Sequence, residues 1–277
     1  MAAERQRRST QIKIGGMNMI RSLFSGVSGI RNHQIRMDAL SNNISNVNTS
    51  GFKAGRANFQ DGLNQLLRGG GASRNPMQAG TGITTASIGN KMEQGPLQNT
   101  GRTLDIAIQG VGFFKVTDGT NNFYTRDGAF FVDATGNVVN SLGYNLLDDS
   151  GTEINLGTNA IATLNISPQG VISGTDIDGA DITDAQIGIY TFPNPEGMRK
   201  AGNSLYSADE DITGTENATT PGAGGAGTVE SGYLEMSNTD LSEEFTTMIT
   251  TQRGYQASSR IITVSDTLLE ELIQLKR

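Results

Sequence analysis

Few residues of this chain have the type and spacing needed for catalysis or metal binding. The acidic turns at 148–153 and 176–181 resemble calcium loops, but neither follows the full EF-hand spacing. Gly110 and Gly112 lack the remaining glycine and the strand-to-helix context of a dinucleotide-binding turn. The single histidine, His33, has no cysteine near it, so we expect it on the surface. Because no nucleophile, base and orienting group can be named together, we predict no enzyme activity, catalytic residue, metal or cofactor.

The composition points to an elongated chain rather than to one compact globule. Only 35% of the 277 residues are hydrophobic, and 36 glycines with 6 prolines indicate many tight turns. The absence of cysteine removes disulfides and thiolate nucleophiles from consideration. No apolar run reaches the roughly 18 residues of a membrane-spanning helix, so membrane insertion is not expected.

Charge is divided along the chain in a way that favours pairing between its two ends. Residues 1–60 contain nine Lys or Arg and two acidic residues, whereas the whole chain has a net charge of -7. The basic residues lack interleaved aromatics and the rest of the chain would repel phosphate, so no nucleic-acid binding is expected. Residues 19–60 are net positive and residues 235–277 are net negative. The two segments should therefore prefer each other, within one chain or between chains.

Each end of the chain carries an apolar seam with the heptad spacing of a coiled coil. Polar residues interrupt both seams and can fix the register, because a buried polar group needs a partner. An additional apolar stripe widens the last turns, so the C-terminal helix can contact more than one neighbour. The first seam contains Leu23, Val27, Ile30, Gln34, Met37, Ser41 and Ile44. The second contains Leu241, Phe245, Met248, Gln252, Tyr255, Ser259, Ile262, Asp266, Leu269 and Ile273, and the additional stripe contains Ile261, Leu268, Leu272 and Leu275.

The ends of both helices carry recognisable signals. Asp240 followed by Glu243 resembles a capping box and predicts a helix start. Asn46, Asn48 and Gly51 can adopt left-handed backbone conformations and end the first helix. Residues 1–18 contain a pair of arginines but no apolar segment long enough for a cleaved signal peptide. We therefore treat them as an extension and expect the ordered chain to begin at about residue 19.

Between the helices the pattern changes from an extended connector to β-structure. Residues 68–95 are glycine-rich, lack a helical period and include a short strand at 83–88. Short apolar strands separated by Gly and Asp turns follow, with a loop at 213–227, which indicates an antiparallel domain. The predicted fold class is α+β, with terminal helices in a coiled-coil-like layer, a central antiparallel β-domain and an extended connector. Its predicted parts are the extension at 1–18, a helical segment at 19–67, the connector at 68–95, the β-domain at 96–232 and the C-terminal helix at 233–277.

Three segments of the sequence resemble signatures of the bacterial flagellar rod and hook proteins. Residues 40–53, LSNNISNVNTSGFK, are similar to the N-terminal signature of that family. Residues 100–128 resemble its central motif through TGRTLDIAI, the two glycines that follow, and YTRDG. The SNTDL and QRGYQ segments at 237–241 and 252–256 resemble its C-terminal motif. The resemblance covers residues 19–277.

This resemblance implies a self-assembling structural subunit. In the family, the terminal segments pair as the inner coiled-coil layer of a helical tube, the β-domain lies outside, and subunits pass unfolded through the flagellar type III export apparatus. The implied partners are further copies of the chain, the distal rod, hook cap and hook–filament junction proteins, and the export apparatus. The implied location is the flagellar hook or basal body, outside the cell and without a cleaved signal peptide.

Within the family, the segment at 232–238 and the Leu-Lys-Arg ending look like short hook proteins. We therefore expect a hook subunit, which forms a flexible joint. The alternative is a subunit of the rigid distal rod. We expect the difference between the two to lie in the connector at 68–99. Asn42, Asn43, Gly51, Phe52 and Lys53 are expected to pack the turn after the first helix against a neighbour, or else to form an ordinary helix cap with a core Phe. The remaining expected assembly residues are Leu23, Val27, Ile30, Met37, Ile44, Leu241, Phe245, Met248, Gln252, Arg253, Tyr255, Ile262 and Leu269.

A different class of protein, an adhesin carried on a coiled-coil stalk, also suits an exposed acidic β-domain. The order of the elements argues against an adhesin, because a stalk is normally one continuous segment rather than two complementary helices at opposite ends of the chain. Deleting residues 268–277 would distinguish the two classes. Ligand binding by an adhesin would survive this deletion, whereas assembly and motility would be lost from a tube-forming subunit.

Overall fold

The structure, a computed structural model, describes the backbone of residues 2–70, 75–157, 161–179 and 181–275. The chain divides into two compact units. The helical unit comprises residues 1–42, 55–89 and 241–277, and the β unit comprises residues 43–54 and 90–240. The predicted α+β class, with a helix at each end and antiparallel sheets between them, is confirmed.

The described secondary structure consists of three α-helices, one short 3-10 helix and twenty strands. The α-helices are α1 (Ala2–Ser45), α2 (Glu210–Thr213) and α3 (Leu241–Gln274), and the 3-10 helix is Pro195–Gly197. The first ten strands are β1 (Gly55–Asp61), β2 (Asn64–Arg68), β3 (Met77–Gly80), β4 (Ile83–Asn90), β5 (Leu97–Asn99), β6 (Ile106–Gln109), β7 (Phe114–Thr117), β8 (Asn122–Thr125), β9 (Phe130–Val132) and β10 (Val138–Asn140). The others are β11 (Asn145–Leu146), β12 (Ile161–Ile166), β13 (Val171–Asp176), β14 (Asp181–Gln186), β15 (Ile189–Thr191), β16 (Arg199–Gly202), β17 (Leu205–Ser207), β18 (Asn217–Thr219), β19 (Thr228–Ser231) and β20 (Tyr233–Glu235).

The first helix is longer than its seam predicts. Because α1 begins at Ala2, residues 2–18 are helical and do not form a separate extension. The helix ends at Ser45, close to the predicted stop. Of the three residues expected to adopt left-handed conformations, only Gly51 has a positive φ, at 65°. At the other end, α3 begins directly after Asp240, where the capping signal places its start.

Two antiparallel strand pairs follow α1 in the helical unit. Their first strands, β1 and nearly all of β2, lie in the predicted helical segment at 19–67, and their second strands, β3 and β4, lie in the predicted connector at 68–95. β1 pairs with β4, and β2 pairs with β3 from Asn64 opposite Gly80 to Arg68 opposite Met77. Hydrogen bonds join β4 to α1, because the Asn32 side chain donates to the Ile83 carbonyl at 2.8 Å and accepts from the Thr85 hydroxyl at 2.6 Å. A polar residue buried on α1 therefore holds this strand in place.

The β unit is built around a seven-stranded antiparallel sheet in the order β16-β17-β8-β7-β11-β10-β9. A three-stranded sheet, β12-β13-β14, and three strand pairs, β15-β18, β19-β6 and β20-β5, complete it. The loop expected at 213–227 contains a short strand, β18, because its backbone completes hydrogen bonding along β15. The alternating apolar side chains fill one large core, whose fully buried members include Ile106, Ile108, Phe114, Phe130 and Leu146.

A smaller aromatic core lies beside the first. It contains Phe113, Tyr124, Tyr190, Phe192, Met198 and Tyr206. Edge-to-face contacts join several of these rings, including Tyr124 and Phe192 with centroids 4.9 Å apart. Among the described residues, no helix has the combination of length and apolarity that crossing a bilayer requires.

Candidate functional site

Three residues that lie in or beside the family-like segments meet at one buried charge cluster in the β unit. Lys53 follows the turn after α1, Arg126 follows β8, and Glu235 ends β20. The Lys53 ammonium lies 2.5 Å from Oε1 of Glu235, and a guanidinium nitrogen of Arg126 lies 3.1 Å from Oε2. All three residues are almost completely excluded from solvent. We call this set the Lys53–Arg126–Glu235 cluster.

Backbone groups add hydrogen bonds to the cluster. The Lys53 ammonium donates to the Glu93 carbonyl at 2.7 Å, and Arg126 donates to the Gly110 carbonyl at 2.8 Å. Oε1 of Glu235 also accepts from the backbone nitrogen of Gly95 at 2.8 Å. Burial of a charge is costly unless it is paired and hydrogen-bonded, and here one carboxylate serves two cations.

The electrostatics of the cluster follow from this burial. Loss of hydration lowers the pKa of the Lys53 ammonium, an effect that the nearby Glu235 carboxylate opposes. Burial also lowers the pKa of Arg126, again against the opposing influence of Glu235. Burial raises the pKa of the Tyr206 phenol to about 12. The single carboxylate is therefore the group on which the charge balance of this region depends.

Gly51 is required by backbone geometry beside the cluster. Its φ of 65° is a conformation that side-chain-bearing residues rarely adopt. A Cβ atom at this position would lie 2.4 Å from the backbone nitrogen of Asp127, which is closer than non-bonded atoms can approach. The Gly51 nitrogen donates to the Glu235 carbonyl at 2.8 Å. Ser50 adds a hydrogen bond of 2.8 Å to the Asp127 carboxylate.

Residues on either side of Lys53 are also fixed within the β unit. Phe52 is buried, and the Lys200 ammonium lies 4.3 Å from the centre of its ring. The backbone nitrogen of Ala54 donates to the Asn238 side chain at 2.8 Å. The Asn238 amide in turn donates to the carbonyl of Lys91 at 2.8 Å.

The partners of Gly51, Phe52 and Lys53 thus lie within their own chain. This arrangement corresponds to the alternative in which these residues form a helix ending and a core, because burial removes them from the surface that a neighbour can reach. Asn43 is buried as well, whereas Asn42 is exposed. The cluster was not predicted from the sequence, although the three charged residues lie in or beside the family-like segments.

In the helical unit, α1 and α3 pack against each other in opposite directions through small residues. The hydroxyl oxygens of Ser22 and Ser265 are 3.2 Å apart. A Cβ atom on Gly26 would lie 3.1 Å from the Ile262 side chain, and one on Gly29 would lie 2.8 Å from the Ser258 hydroxyl. Small residues allow the two helix backbones to approach closely. The two ends of the chain are therefore in contact within one chain, through small side chains.

The residues of α1 that form this contact are not those of the predicted seam. The residues in contact on α1 precede Leu23, Val27 and Ile30 by one position, and the predicted seam residues beside them are only partly buried. Four of the five polar residues expected inside the seams are exposed instead, namely Gln34, Ser41, Gln252 and Asp266. The physical reason is that glycine and serine permit a closer approach than the larger apolar side chains.

The other predicted assembly residues are distributed between partly buried and exposed positions. Met37, Ile44, Met248, Tyr255, Ser259, Ile262 and Leu269 are partly buried, whereas Leu241, Phe245, Arg253 and Ile273 are exposed. The additional stripe, Ile261, Leu268, Leu272 and Leu275, is exposed along its whole length. The chain therefore keeps much of the apolar surface of α3 uncovered.

His33 is not at the surface position expected for it. Its ring packs against α3, because a Cβ atom on Gly254 would lie 2.7 Å from two of the ring atoms. Its Nδ1 atom is buried and has no hydrogen-bond partner among the described residues. Burial lowers the pKa of this imidazole, and the nearby Arg36 guanidinium lowers it further. The side chain fills the gap left by Gly254 in the QRGYQ segment.

The acidic turn at 148–153 uses its carboxylates locally. Asp148 accepts hydrogen bonds from the backbone nitrogens of Ser150 at 2.9 Å and Thr152 at 2.7 Å. Among the residues that the structure describes, no group of three His, Cys, Asp or Glu side chains is arranged to hold a metal ion. This turn therefore has a structural role within its own hairpin.

Comparison with protein families identifies three matching models. Residues 23–53 match "Flagella basal body rod protein", residues 107–174 match "Flagellar hook protein FlgE/F/G D1 domain", and residues 230–275 match "Flagellar basal body rod FlgEFG protein C-terminal". These matches fall on the ends of the chain and on the middle of the β unit. They contain all three residues of the Lys53–Arg126–Glu235 cluster.

Individual relatives agree with the family models. The chain is 43% identical to the flagellar basal-body rod protein FlgG of Bacillus subtilis over 265 residues, covering 94% of this chain and 100% of that protein. It is 38% identical to FlgG of Borreliella burgdorferi over 269 residues, covering 94% and 100%. It is 28% identical to the hook protein FlgE of the same organism over 444 aligned positions, covering 93% and 100%.

A fourth relative, the hook protein FlgE of Treponema pallidum, is 51% identical over 128 residues, covering 44% of this chain and 28% of that protein. The family consists of structural subunits of the flagellar basal body and hook rather than enzymes. With three family models in chain order and rod proteins matched from end to end, this chain belongs to the flagellar rod and hook (FlgE/F/G) protein family and is an axial structural subunit of the flagellum.

Proposed function

We propose that this chain is the distal rod subunit of the flagellar basal body, a rigid drive shaft, rather than the hook subunit favoured by the motif comparison alone. The observation that carries the proposal is the end-to-end match to rod proteins named FlgG, which covers 100% of the Bacillus subtilis relative. The alignment to the Borreliella burgdorferi hook protein extends over 444 positions, so that protein contains long segments with no counterpart here.

The hook alternative has one observation in its favour. The identity to the Treponema pallidum hook protein reaches 51%, which exceeds the identity to the rod proteins. That identity is confined to 28% of the hook protein and to 44% of this chain. Agreement in total length and in the order of segments therefore weighs more than identity over one part.

The strand pairs of the helical unit support a rigid assembly. The apolar side chains of Leu66, Leu67 and Met77 on β2 and β3 are exposed, and so is Leu63 just before β2, which is 86% exposed. An exposed apolar strand pair is a surface that neighbouring molecules tend to cover. In a tube of repeated subunits, we expect these side chains to fix contacts between neighbours. A fixed contact set gives a stiff shaft, whereas bending requires alternative contacts of similar energy.

The same proposal includes the partners of the subunit. Copies of the chain would form the shaft, joined at its ends to other axial proteins, and the unfolded chain would pass through the flagellar export apparatus. The apolar residues on the outward faces of the helices are uncovered in the isolated chain. This exposure supports the proposal that the two ends become fully ordered only on assembly.

Immunogold electron microscopy of intact flagella, with antibodies against the β unit, tests the proposal. The expected result is gold particles on the straight shaft beneath the curved segment. Label on the curved segment would support the hook alternative, and absence of label from both would contradict both. A strain lacking the protein gives the background, and antibodies against a separate hook subunit mark the curved segment in the same images.

A further inference from the structure

An apolar groove in the helical unit has no occupant in the isolated chain. It has a volume of about 570 Å³ and lies between α1 and the start of β4. Its walls include Phe24, Val27 and Ile35 of α1 and Ile83 of β4. The Phe24 side chain is 63% exposed at the edge of the groove. Such a surface costs free energy while it faces water.

The walls of the groove are fixed by hydrogen bonds. Ser28 and Asn32 hold β4 against α1, because the Ile83 nitrogen donates to the Ser28 hydroxyl at 3.4 Å and the Asn32 amide donates to the Ile83 carbonyl. Gly82 also comes so close to Ser28 that a Cβ atom there would lie 2.0 Å from the hydroxyl oxygen. The groove is therefore formed before any partner arrives.

The chain's own α3 does not fill this groove. The residues of α1 that contact α3, namely Ser22, Gly26 and Gly29, lie on the face of the helix opposite Phe24 and Arg31. One α3 cannot cover both faces of α1 at once. Repetition of the chain in the proposed tube brings the α3 helix of a second copy to this face of α1.

The exposed stripe of α3 has the dimensions and chemistry to fill the groove. Ile261, Val264, Leu268, Leu272 and Leu275 follow one side of the helix and are each 42–83% exposed. The stripe covers residues 261–275 and the groove residues of α1 cover 21–35, so each extends over 14 helical steps, or about 21 Å. Glu271 lies within the stripe, and Arg21 and Arg31 line the groove. Opposite charges and equal lengths match the two surfaces.

We infer that the groove between α1 and β4 binds the 261–275 stripe of α3 from a second copy of this chain. The interaction places apolar side chains in the groove and Glu271 beside one of its two arginines. Each α1 thereby contacts two α3 helices, its own through small residues and a neighbour's through large apolar ones. The inference rests on the proposed function, because it assumes that copies of the chain meet in a shaft.

Cysteine pairs test the inference directly, since the natural chain contains no cysteine. Val27 lies near the middle of the groove and Leu268 near the middle of the stripe, so the two are opposed whichever way the second helix runs. We expect a chain carrying Val27→Cys and Leu268→Cys to form disulfide-linked dimers and larger ladders in isolated basal bodies after mild oxidation. The matched control carries Val27→Cys and Glu270→Cys, because Glu270 lies on another face of α3, and should give none.

The outcomes separate this inference from the proposed function. Assembled shafts that contain the double-cysteine chain but give only monomers, disulfides within one chain or links to a different protein would overturn the groove assignment. Basal bodies that lack the chain altogether, with the wild-type protein tested in parallel, would instead overturn the proposed function.

Charge reversal provides a second test that does not depend on oxidation. Glu271→Arg alone should sharply reduce assembly, and so should reversal of the one arginine that faces Glu271, by Arg31→Glu or Arg21→Glu. Combining Glu271→Arg with one of the two arginine reversals should restore assembly, and the combination that works reveals the direction of the second helix. Failure of both combinations in chains that fold normally, as judged by circular dichroism, would contradict the inference.

Discussion

Lys53 and Glu235, which are separated by 182 positions in the sequence, form an ion pair with 2.5 Å between Nζ and Oε1 and almost no exposure to solvent. Lys53 lies just after α1 and Glu235 just before α3. The pair therefore links the segment that leaves the first helix to the segment that enters the last one. Arg126, from the middle of the chain, joins the same carboxylate.

Glu235→Gln should be the most damaging single substitution in the Lys53–Arg126–Glu235 cluster. It leaves two buried cations without an anion, and loss of one partner of a buried pair typically costs about 3–5 kcal/mol in the free energy of unfolding. Lys53→Met should cost less, because Arg126 and the Gly95 nitrogen still serve the carboxylate. Urea unfolding of the purified chain measures both values.

The exposed ion pair of Lys91 and Glu93 provides the control for these measurements. Lys91→Met should change the free energy of unfolding by less than about 1 kcal/mol, since water already solvates both charges. Equal losses for Glu235→Gln and Lys91→Met would show that the buried cluster does not govern stability.

Gly51→Ala should destabilise the β unit by more than conformational strain alone. The left-handed backbone costs an alanine about 1–2 kcal/mol, and the new methyl group would also collide with the backbone of Asp127. Gly143→Ala is the matched control, because Gly143 has a φ of 84° but nothing within 4 Å of the new Cβ. Thermal unfolding should show a clearly larger loss for Gly51→Ala, and equal losses would contradict the close approach.

Ser22→Cys combined with Ser265→Cys should yield a disulfide within one chain. The two hydroxyl oxygens are 3.2 Å apart, so sulfur atoms in the same positions need only a small shift to bond. Non-reducing gel electrophoresis of the dilute purified chain should show a monomer of altered mobility. The control pair, Ser22→Cys with Thr263→Cys, places the second thiol on another face of α3 and should remain reduced. Predominantly dimeric product from the first pair would contradict packing of α1 on its own α3.

The His33 imidazole should titrate below the ordinary value of 6.5. Because this is the only histidine, its ring protons give one set of proton NMR signals that can be followed with pH. The unfolded chain binds a proton at higher pH than the folded chain does, so the His33 contribution to stability is present above pH 6.5 and is lost as the pH falls toward the folded pKa. The free energy of unfolding should therefore decrease below pH 6.5 in the wild-type chain, and His33→Gln should remove the part of this decrease that is due to His33. An NMR pKa at or above 6.5 would contradict the packing of His33 against Gly254.

The sequence predicted the elements of the fold better than their contacts. Alternating apolar residues and Gly or Asp turns located most of the β unit, since period and turn chemistry are local properties. The helix seams were placed one position away from the real contact, because the pattern gives weight to large apolar residues whereas Gly26 and Gly29 allow the closest approach.

The buried cluster was beyond prediction for a different reason. Lys53, Arg126 and Glu235 each lie in or beside a segment of family-like sequence, but charged residues are ordinarily exposed. Only the long-range pairing of β20 with β5 and the turn at Gly51 bring the three together. The spacing of these residues along the sequence does not indicate that they are in contact. The presence of one charged residue near each family-like segment is the feature from which the cluster could have been predicted.

Asn238 connects three passages of the chain near the border of the β unit, because Ala54 donates to its side chain, its amide donates to the Lys91 carbonyl, and the Lys91 nitrogen donates to the Ala54 carbonyl. Each of these passages continues into the helical unit within a few residues. A mechanical load that arrives along one passage is therefore divided among three before it reaches the sheets. In the proposed drive shaft, such load sharing would keep any single peptide segment from being pulled out alone.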